Sequence, residues 1–284
     1  MEYQALYRLG VERLRNASIE EADLDARLLL EEACGTDRNY LLCHGENQVT
    51  KEQHDKYLES IEKRSRRIPL QHILGFQEFM GLNFRVTPEV LIPRQDTETL
   101  VEEVLRFLHD GMRILDVCTG SGCILLSLLR YSNDCTGVGC DISKEALRVA
   151  DENARRLGLT AEFIQGNLFE NITGKYEIIV SNPPYIESGE IPNLMEEVRE
   201  HDPLIALDGG RDGLFFYREL TEKAGEFLYP GGMLFFEIGC GQADAVSEYM
   251  TKAGYRDVNI CRDLAGLDRV VYGVWSGGKP CLIN

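Results

Sequence analysis

A chain of 284 residues that is 44% hydrophobic and 27% charged has room for about two domains and a sizeable core. The formal net charge is −17, with 11 basic against 15 acidic residues in the first 80 and −13 in the remainder, a balance that repels phosphate backbones and counts against DNA or RNA as a direct substrate. No apolar run reaches the ~18 residues of a membrane span, the start Met1-Glu2-Tyr3-Gln4 lacks a signal-peptide pattern, and the nine cysteines are scattered without a Cys-x-x-Cys pair, so the expectation is a cytoplasmic protein with free thiols, no membrane association and no metal site.

The N-terminal segment reads as helices. Tyr3, Leu6, Tyr7, Val11 and Leu14 recur at helical steps, as do Ala22, Ala26, Leu29, Leu30 and Ala33. Ser18 with Glu21 ahead of the second run predicts a capping box. A third helix is expected from Lys51 to Arg66, with Tyr57, Leu58 and Ile61 on one face. The basic stretch Lys63 to Arg67 is a small patch that could dock a partner, or, as expected, the solvated end of that helix, where cations favour the helix dipole. Pro69 closes this bundle. Phe79, Met80, Leu82, Phe84 and Val86 around Gly81 predict a β-hairpin between two domains. Ile92-Pro93-Arg94-Gln95-Asp96-Thr97-Glu98 leads into a helix from Glu98 to Leu108. The expected division is a helical domain over 1–70, a hairpin linker over 71–90 and a second domain over 91–284.

From Arg113 the period changes. Short apolar strands are expected at 114–117, 136–140, 161–164, 177–180, 233–238, 258–261 and 270–275. Helices are expected at 124–130, 144–157, 214–228 and 243–253, with Pro230-Gly231-Gly232 stopping the third of these. Strands alternating with helices predict an α/β domain whose parallel sheet is wound on both faces.

Three strand ends carry polar or glycine-rich sequence. Asp116-Val117-Cys118-Thr119-Gly120-Ser121-Gly122 follows the first strand, where glycines let a ligand approach the backbone. It is a poor dinucleotide fingerprint, because Leu125 takes the third glycine position, and it is no P-loop. Asp141 ends the second strand and can accept both hydroxyls of a ribose, its alternative role being a helix N-cap, as a turn is for Asn167. Asn167 and Leu168 follow the third strand, one able to bond an adenine edge and the other to pack on its face. Asp116 is placed to meet the positive end of an aminoacyl group.

Asn182-Pro183-Pro184-Tyr185 follows the fourth strand. Two prolines cannot continue a ladder, so the chain leaves the sheet there and presents Asn182 and Tyr185 on a rigid backbone. A planar amino or amide nitrogen could be bonded by Asn182 and covered by Tyr185. The alternative is a strand-ending turn with a core tyrosine.

The loop at 116–122, Asp141 and the tetrapeptide at 182–185 resemble class I S-adenosylmethionine-dependent methyltransferases that modify planar nitrogens. The tetrapeptide is shared with adenine-N6 DNA methyltransferases. The segments at 69–75, 91–98, 206–214 and 263–266 are more specific and resemble the HemK family of peptide chain release factor N5-glutamine methyltransferases. The likeness extends over almost the whole chain. Cys118 departs from it by standing where glycine is common, and Leu267 by interrupting a pattern near Asp268-Arg269.

The resemblance implies a Rossmann-like fold with a seven-stranded, mostly parallel sheet and S-adenosylmethionine as methyl donor. The donor would be bound by Asp116, Cys118, Thr119, Gly120, Ser121, Gly122, Asp141, Asn167, Leu168 and Asn182. The implied reaction is methylation of the glutamine in the Gly-Gly-Gln motif of class I release factors. The Asn182 side-chain oxygen and the Pro183 carbonyl would accept from the glutamine amide, with Tyr185 stacked on it and Pro184 beside it. Arg94, Thr97 and Glu98 would close the pocket, and the helical domain would hold the release factor. The expected state is a monomer. Three rivals stand beside this reading: glutamine methylation of ribosomal protein L3, a nucleic-acid N-methyltransferase, and a non-catalytic binding module.

Overall fold

The computed structural model describes residues 1–278. Cys281 and the end of the expected second domain lie outside the described residues. The chain divides into two compact units, one of residues 1–76 and 195–201, the other of residues 77–194 and 202 onward.

The first unit is helical. It contains α1 (Tyr3–Asn16), α2 (Ala22–Cys34), α3 (Arg38–Cys43), α4 (Lys51–Ser65) and α5 (Leu70–Leu74). Leu6, Leu14, Ala26, Leu29, Leu30, Tyr57 and Ile61 form its core, which the helical spacing of these residues brings to the facing sides of α1, α2 and α4. The expected capping box at Ser18 and Glu21 does not form: Ser18 is left-handed, and α2 begins without a side-chain cap. The box is instead at α4, where Thr50 and Gln53 satisfy each other's backbone N–H. The short helices α3 and α5 were not anticipated.

β1 (Phe76–Phe79), which but for its first residue belongs to the second unit, and β2 (Leu82–Arg85) form the expected hairpin. A 3-10 turn over Gln95–Thr97 leads into α6 (Glu98–Leu105), which is shorter than expected. There follow β3 (Arg113–Val117), α7 (Cys123–Arg130), β4 (Thr136–Asp141), α8 (Lys144–Leu157), β5 (Glu162–Gln165) and β6 (Tyr176–Ser181). After α9 (Glu196–His201), which belongs to the first unit, come α10 (Phe215–Ala224), β7 (Leu228–Glu237), α11 (Ala243–Ala253), β8 (Tyr255–Arg262) and β9 (Asp268–Trp275).

Seven of these strands make one sheet in the order β5-β4-β3-β6-β7-β9-β8, parallel as far as β7 and antiparallel through β9 and β8. The fold is the Rossmann-like, mostly parallel α/β arrangement expected of a class I methyltransferase. Alternation along β3 sends Ile114 to a cluster with α6 and α7, and Leu115 and Val117 to one with α10 and α11, so both faces are covered. One element is corrected: α10 ends at Ala224, and Pro230-Gly231-Gly232 lies inside β7, where the register with β6 shifts between Tyr176 and Ile178. A bulge accommodates the proline without ending the strand.

Candidate functional site

Sheet order places the C-terminal ends of β5, β4, β3 and β6 side by side, at the edge where open α/β sheets bind ligands. A cavity of about 330 Å³ lies there, within the ordinary size of a small-molecule site. Its wall includes Arg94, Thr97, Cys118, Thr119, Gly120, Ser121, Asp141, Asn167, Leu168, Asn182 and Pro184.

The wall from β3 to β5 is built largely from backbone. Asp141 ends β4, and its two oxygens accept from the N–H groups of Gly120 and Ser143, each at 2.9 Å. These bonds fix the carboxylate and leave lone pairs on both oxygens for a further donor. Burial pushes its carboxyl up, against the pull of the Ser143 and Gly120 N–H groups. Gly120 has φ 55° and nothing within 4 Å of the place a Cβ would occupy, so a ligand can lie directly on the backbone. Asn167 is exposed, and its backbone N–H donates to Glu170. Cys118 and Leu168 hold left-handed φ values of 63° and 55° on this wall, an uncommon conformation for side chains of their size. Burial raises the Cys118 thiol well above its ordinary value and keeps it neutral.

This wall suits S-adenosylmethionine: an oriented carboxylate for a diol, an open backbone segment at Gly120, and an exposed amide beside Leu168 for a base. A buried acidic group stands behind it. Asp116 is fully buried and accepts the Thr119 hydroxyl at 2.6 Å, with its Oδ1 unpartnered among the described residues. Burial pushes its carboxyl up to about 7.

The opposite wall comes from the residues after β6 and before α6. Asn182 donates through Nδ2 to the Thr97 hydroxyl at 3.4 Å. Thr97 is buried in the 3-10 turn, and Arg94 one turn earlier pairs with Asp202 at 2.5 Å. The segment at 206–214 explains itself here as the partner of the tetrapeptide loop. Gly209 donates to the Ile186 carbonyl at 2.8 Å, Ile186 to that of Leu207 at 3.0 Å, and a Cβ on Gly209 would meet the Tyr185 backbone at 2.7 Å.

Five expected site residues stand outside the cavity wall, each for a local reason. Asp116 turns back to Thr119. Gly122 caps α7 with φ 78°, where a Cβ would come within 3.2 Å of Ala150. Glu98 accepts the Met80 N–H at 2.6 Å and so ties the hairpin turn to α6. Pro183 is buried, and its neighbour Pro184 lines the cavity in its place. Tyr185 packs into the core beside α10 and β7, and its carbonyl accepts from Gln242 at 3.0 Å. The sequence reading missed the apolar rim of Ile142, Ile205 and Phe215, each about half exposed, and Glu237, buried beside Asn182. The segment at 206–214 was a signal for part of that rim. Glu237 gave none, because its partners come from Thr97 and Asn182, far away in sequence.

Among the described residues, no group of three or more His, Cys, Asp or Glu side chains could hold a metal ion. No described helix is long and apolar enough to cross a membrane.

Residues 5–75 match the PrmC N-terminal domain and residues 95–202 the methyltransferase small domain. The release factor glutamine methyltransferase of Geobacter sulfurreducens is 42% identical over 92% of each chain. That of Bradyrhizobium diazoefficiens is 44% identical over 91% of this chain and 90% of its own. A crystallised methyltransferase from Pyrococcus furiosus shares the fold, with a TM-score of 0.55 at 18% identity over 76% of this chain and 99% of its own. Sequence likeness at this level and length is decisive: the chain belongs to the family of release factor glutamine methyltransferases.

Proposed function

We propose that this chain transfers a methyl group from S-adenosylmethionine to the side-chain amide nitrogen of the glutamine in the Gly-Gly-Gln motif of class I peptide chain release factors. The observation that carries this reading is the 42% identity across 92% of both chains to an enzyme named for that reaction.

S-adenosylmethionine supplies an electrophilic methyl on a sulfonium. Asp141 receives its ribose hydroxyls on the lone pairs left free by Gly120 and Ser143. Gly120 and Thr119 line its path, and Asn167 with Leu168 takes the base. Asn182 Oδ1 and the Pro183 carbonyl accept from the glutamine N–H groups. This orients a nucleophile whose lone pair is otherwise delocalised, so the chain contributes positioning and electrostatics rather than a strong base, and the amide proton that the methyl displaces leaves to water. Tyr185 and the 206–214 segment hold the tetrapeptide rigid. Arg94, fixed on Asp202, and Thr97 complete the wall, while Glu98 anchors their turn. The neutral Cys118 thiol takes no part in the chemistry.

The helical unit serves as a second surface for the same protein substrate. The enzyme acts as a monomer in the cytoplasm, where translation places its substrate, and the net charge of −17 disfavours a direct nucleic-acid substrate. The test is incubation with S-adenosylmethionine and either a release factor or ribosomal protein L3, followed by peptide mass spectrometry. One added methyl is expected on the Gly-Gly-Gln glutamine. Asn182→Ala should lower that transfer at least about 100-fold. Methylated L3 beside an unmodified release factor would overturn the reading.

A further inference from the structure

Glu237 is a buried acid that the assignments above do not use. It ends β7 next to the end of β6. The parallel register pairs Ser181 with Phe236, so Asn182 and Glu237 are the next residues along the two neighbouring strands. Glu237 is 2% exposed, and its Oε2 has no hydrogen-bond partner among the described residues. The Thr97 hydroxyl and the Asn182 carboxamide lie close enough to its carboxyl to favour the charged form. Its backbone carbonyl accepts the Tyr217 hydroxyl at 2.9 Å, which pins the strand end from α10.

A carboxamide has a donor end and an acceptor end of nearly the same shape, and its neighbours decide which way it faces. To receive a glutamine N–H, Asn182 must turn its oxygen to the cavity. The groups behind it supply the bias. Thr97 Oγ1 already accepts from Asn182 Nδ2. A carboxylate is an acceptor only, and a hydroxyl that donates to it keeps its lone pairs for the amide.

We infer that Glu237 is a positioning residue for methyl transfer: with the Thr97 hydroxyl, its buried carboxylate holds the NH₂ end of Asn182 and so presents Oδ1 to the acceptor amide. The inference rests on the reading that Asn182 receives the substrate glutamine. It carries a pH dependence. Protonated Glu237 is itself a donor and favours the reversed amide, which would set one NH₂ against another. Burial pushes its carboxyl up to about 7. The groups facing it are Asp96 and Arg269, with Tyr185, Tyr217 and the Cys123 thiol packed around. Arg269 is shared with Asp96 and Asp263, each at 3.1 Å, so it does not neutralise Glu237 alone. Transfer should therefore fall as the pH drops through about 7.

The experiment uses the full chain with a purified release factor. It measures kcat and KM from about pH 5.5 to 9, a range that brackets a carboxyl of this kind, and S-adenosylmethionine affinity by calorimetry. Glu237→Gln should lower kcat about 10- to 100-fold, leave KM and cofactor affinity nearly unchanged, and lose the fall in kcat at acidic pH. Glu237→Asp should restore that acidic limb. Thr97→Val, which keeps shape and loses the hydroxyl, should lower kcat about 10-fold. An active Asn182→Ala would overturn the acceptor reading itself. An inactive Asn182→Ala beside a Glu237→Gln with full kcat and an intact acidic limb would overturn the positioning role alone. Should Glu237→Gln not fold, a folded Thr97→Val with full kcat overturns it equally.

Discussion

The two walls of the cavity are built by different means. The wall of β3, β4 and β5 relies on backbone: left-handed residues, N–H groups on Asp141, and an open glycine. The wall of Thr97, Asn182 and Glu237 relies on side chains from three separated segments, with an acid buried behind the amide. The first relies mainly on backbone shape, with the Asp141 carboxylate as its titratable contact. The second depends on which atom is donor and which is acceptor, so it is the more sensitive to one proton or one methyl group. A common ligand scaffold and a demanding chemical selectivity are thereby placed in different hands.

The largest expected effect on the backbone wall is from Asp141→Ala. It removes the acceptors for a diol and leaves the Gly120 and Ser143 N–H groups without their partner. Affinity for S-adenosylmethionine should fall about 10- to 100-fold by calorimetry; unchanged affinity would break the assignment of that wall. Gly122→Ala forces a Cβ to within 3.2 Å of Ala150 at φ 78°, and should cost about 1–3 kcal/mol in chemical denaturation. The acid on the other wall gives a signed test. Its carboxyl is raised in the folded chain, so the stability it contributes is present at low pH and lost as pH rises through about 7. Stability of the parent relative to Glu237→Gln should therefore decline from pH 5 to 8 (roughly the span between ordinary and raised carboxyls); a flat difference would contradict the burial argument. The smallest effect is expected from Cys118→Gly, which relieves φ 63° and should raise stability by about 1 kcal/mol.

The same division governs what could be read from the sequence. Helix α8 was legible at both ends, because Ser143 caps it and left-handed Gly158 stops it around a clean apolar stripe. The strand, turn and helix order around the glycine loop and Asp141 was legible because these elements follow one another in sequence. Glu98 was assigned to the pocket, yet its carboxylate satisfies Met80 in the hairpin, a contact no local pattern records. Tyr185 was expected over the substrate amide; it is partly buried against the core, and Gly209 lets the neighbouring segment close on its backbone, a contact that no local pattern records. Pro230-Gly231-Gly232 looked like a helix stop and became a bulge, because pairing with β6 on one side outweighed local turn preference. Glu237 was invisible for a related reason: an acid at a strand end has meaning only when its neighbours across the sheet are known.

One feature of the helical unit constrains inheritance. Arg64 is 7% exposed and shared between Asp25 at 2.7 Å and Glu197 at 3.0 Å. Glu197 is encoded far downstream, just after the loop that carries Asn182, yet belongs to the same unit as Arg64. A recombination that swapped the front of the gene at residue 76 would join a foreign bundle to a mismatched α9. The buried guanidinium would then lose one of its two acids, a defect of the kind that costs several kcal/mol. The front of the gene is therefore no free cassette: its ancestry is tied to that of the stretch following the Asn182 loop.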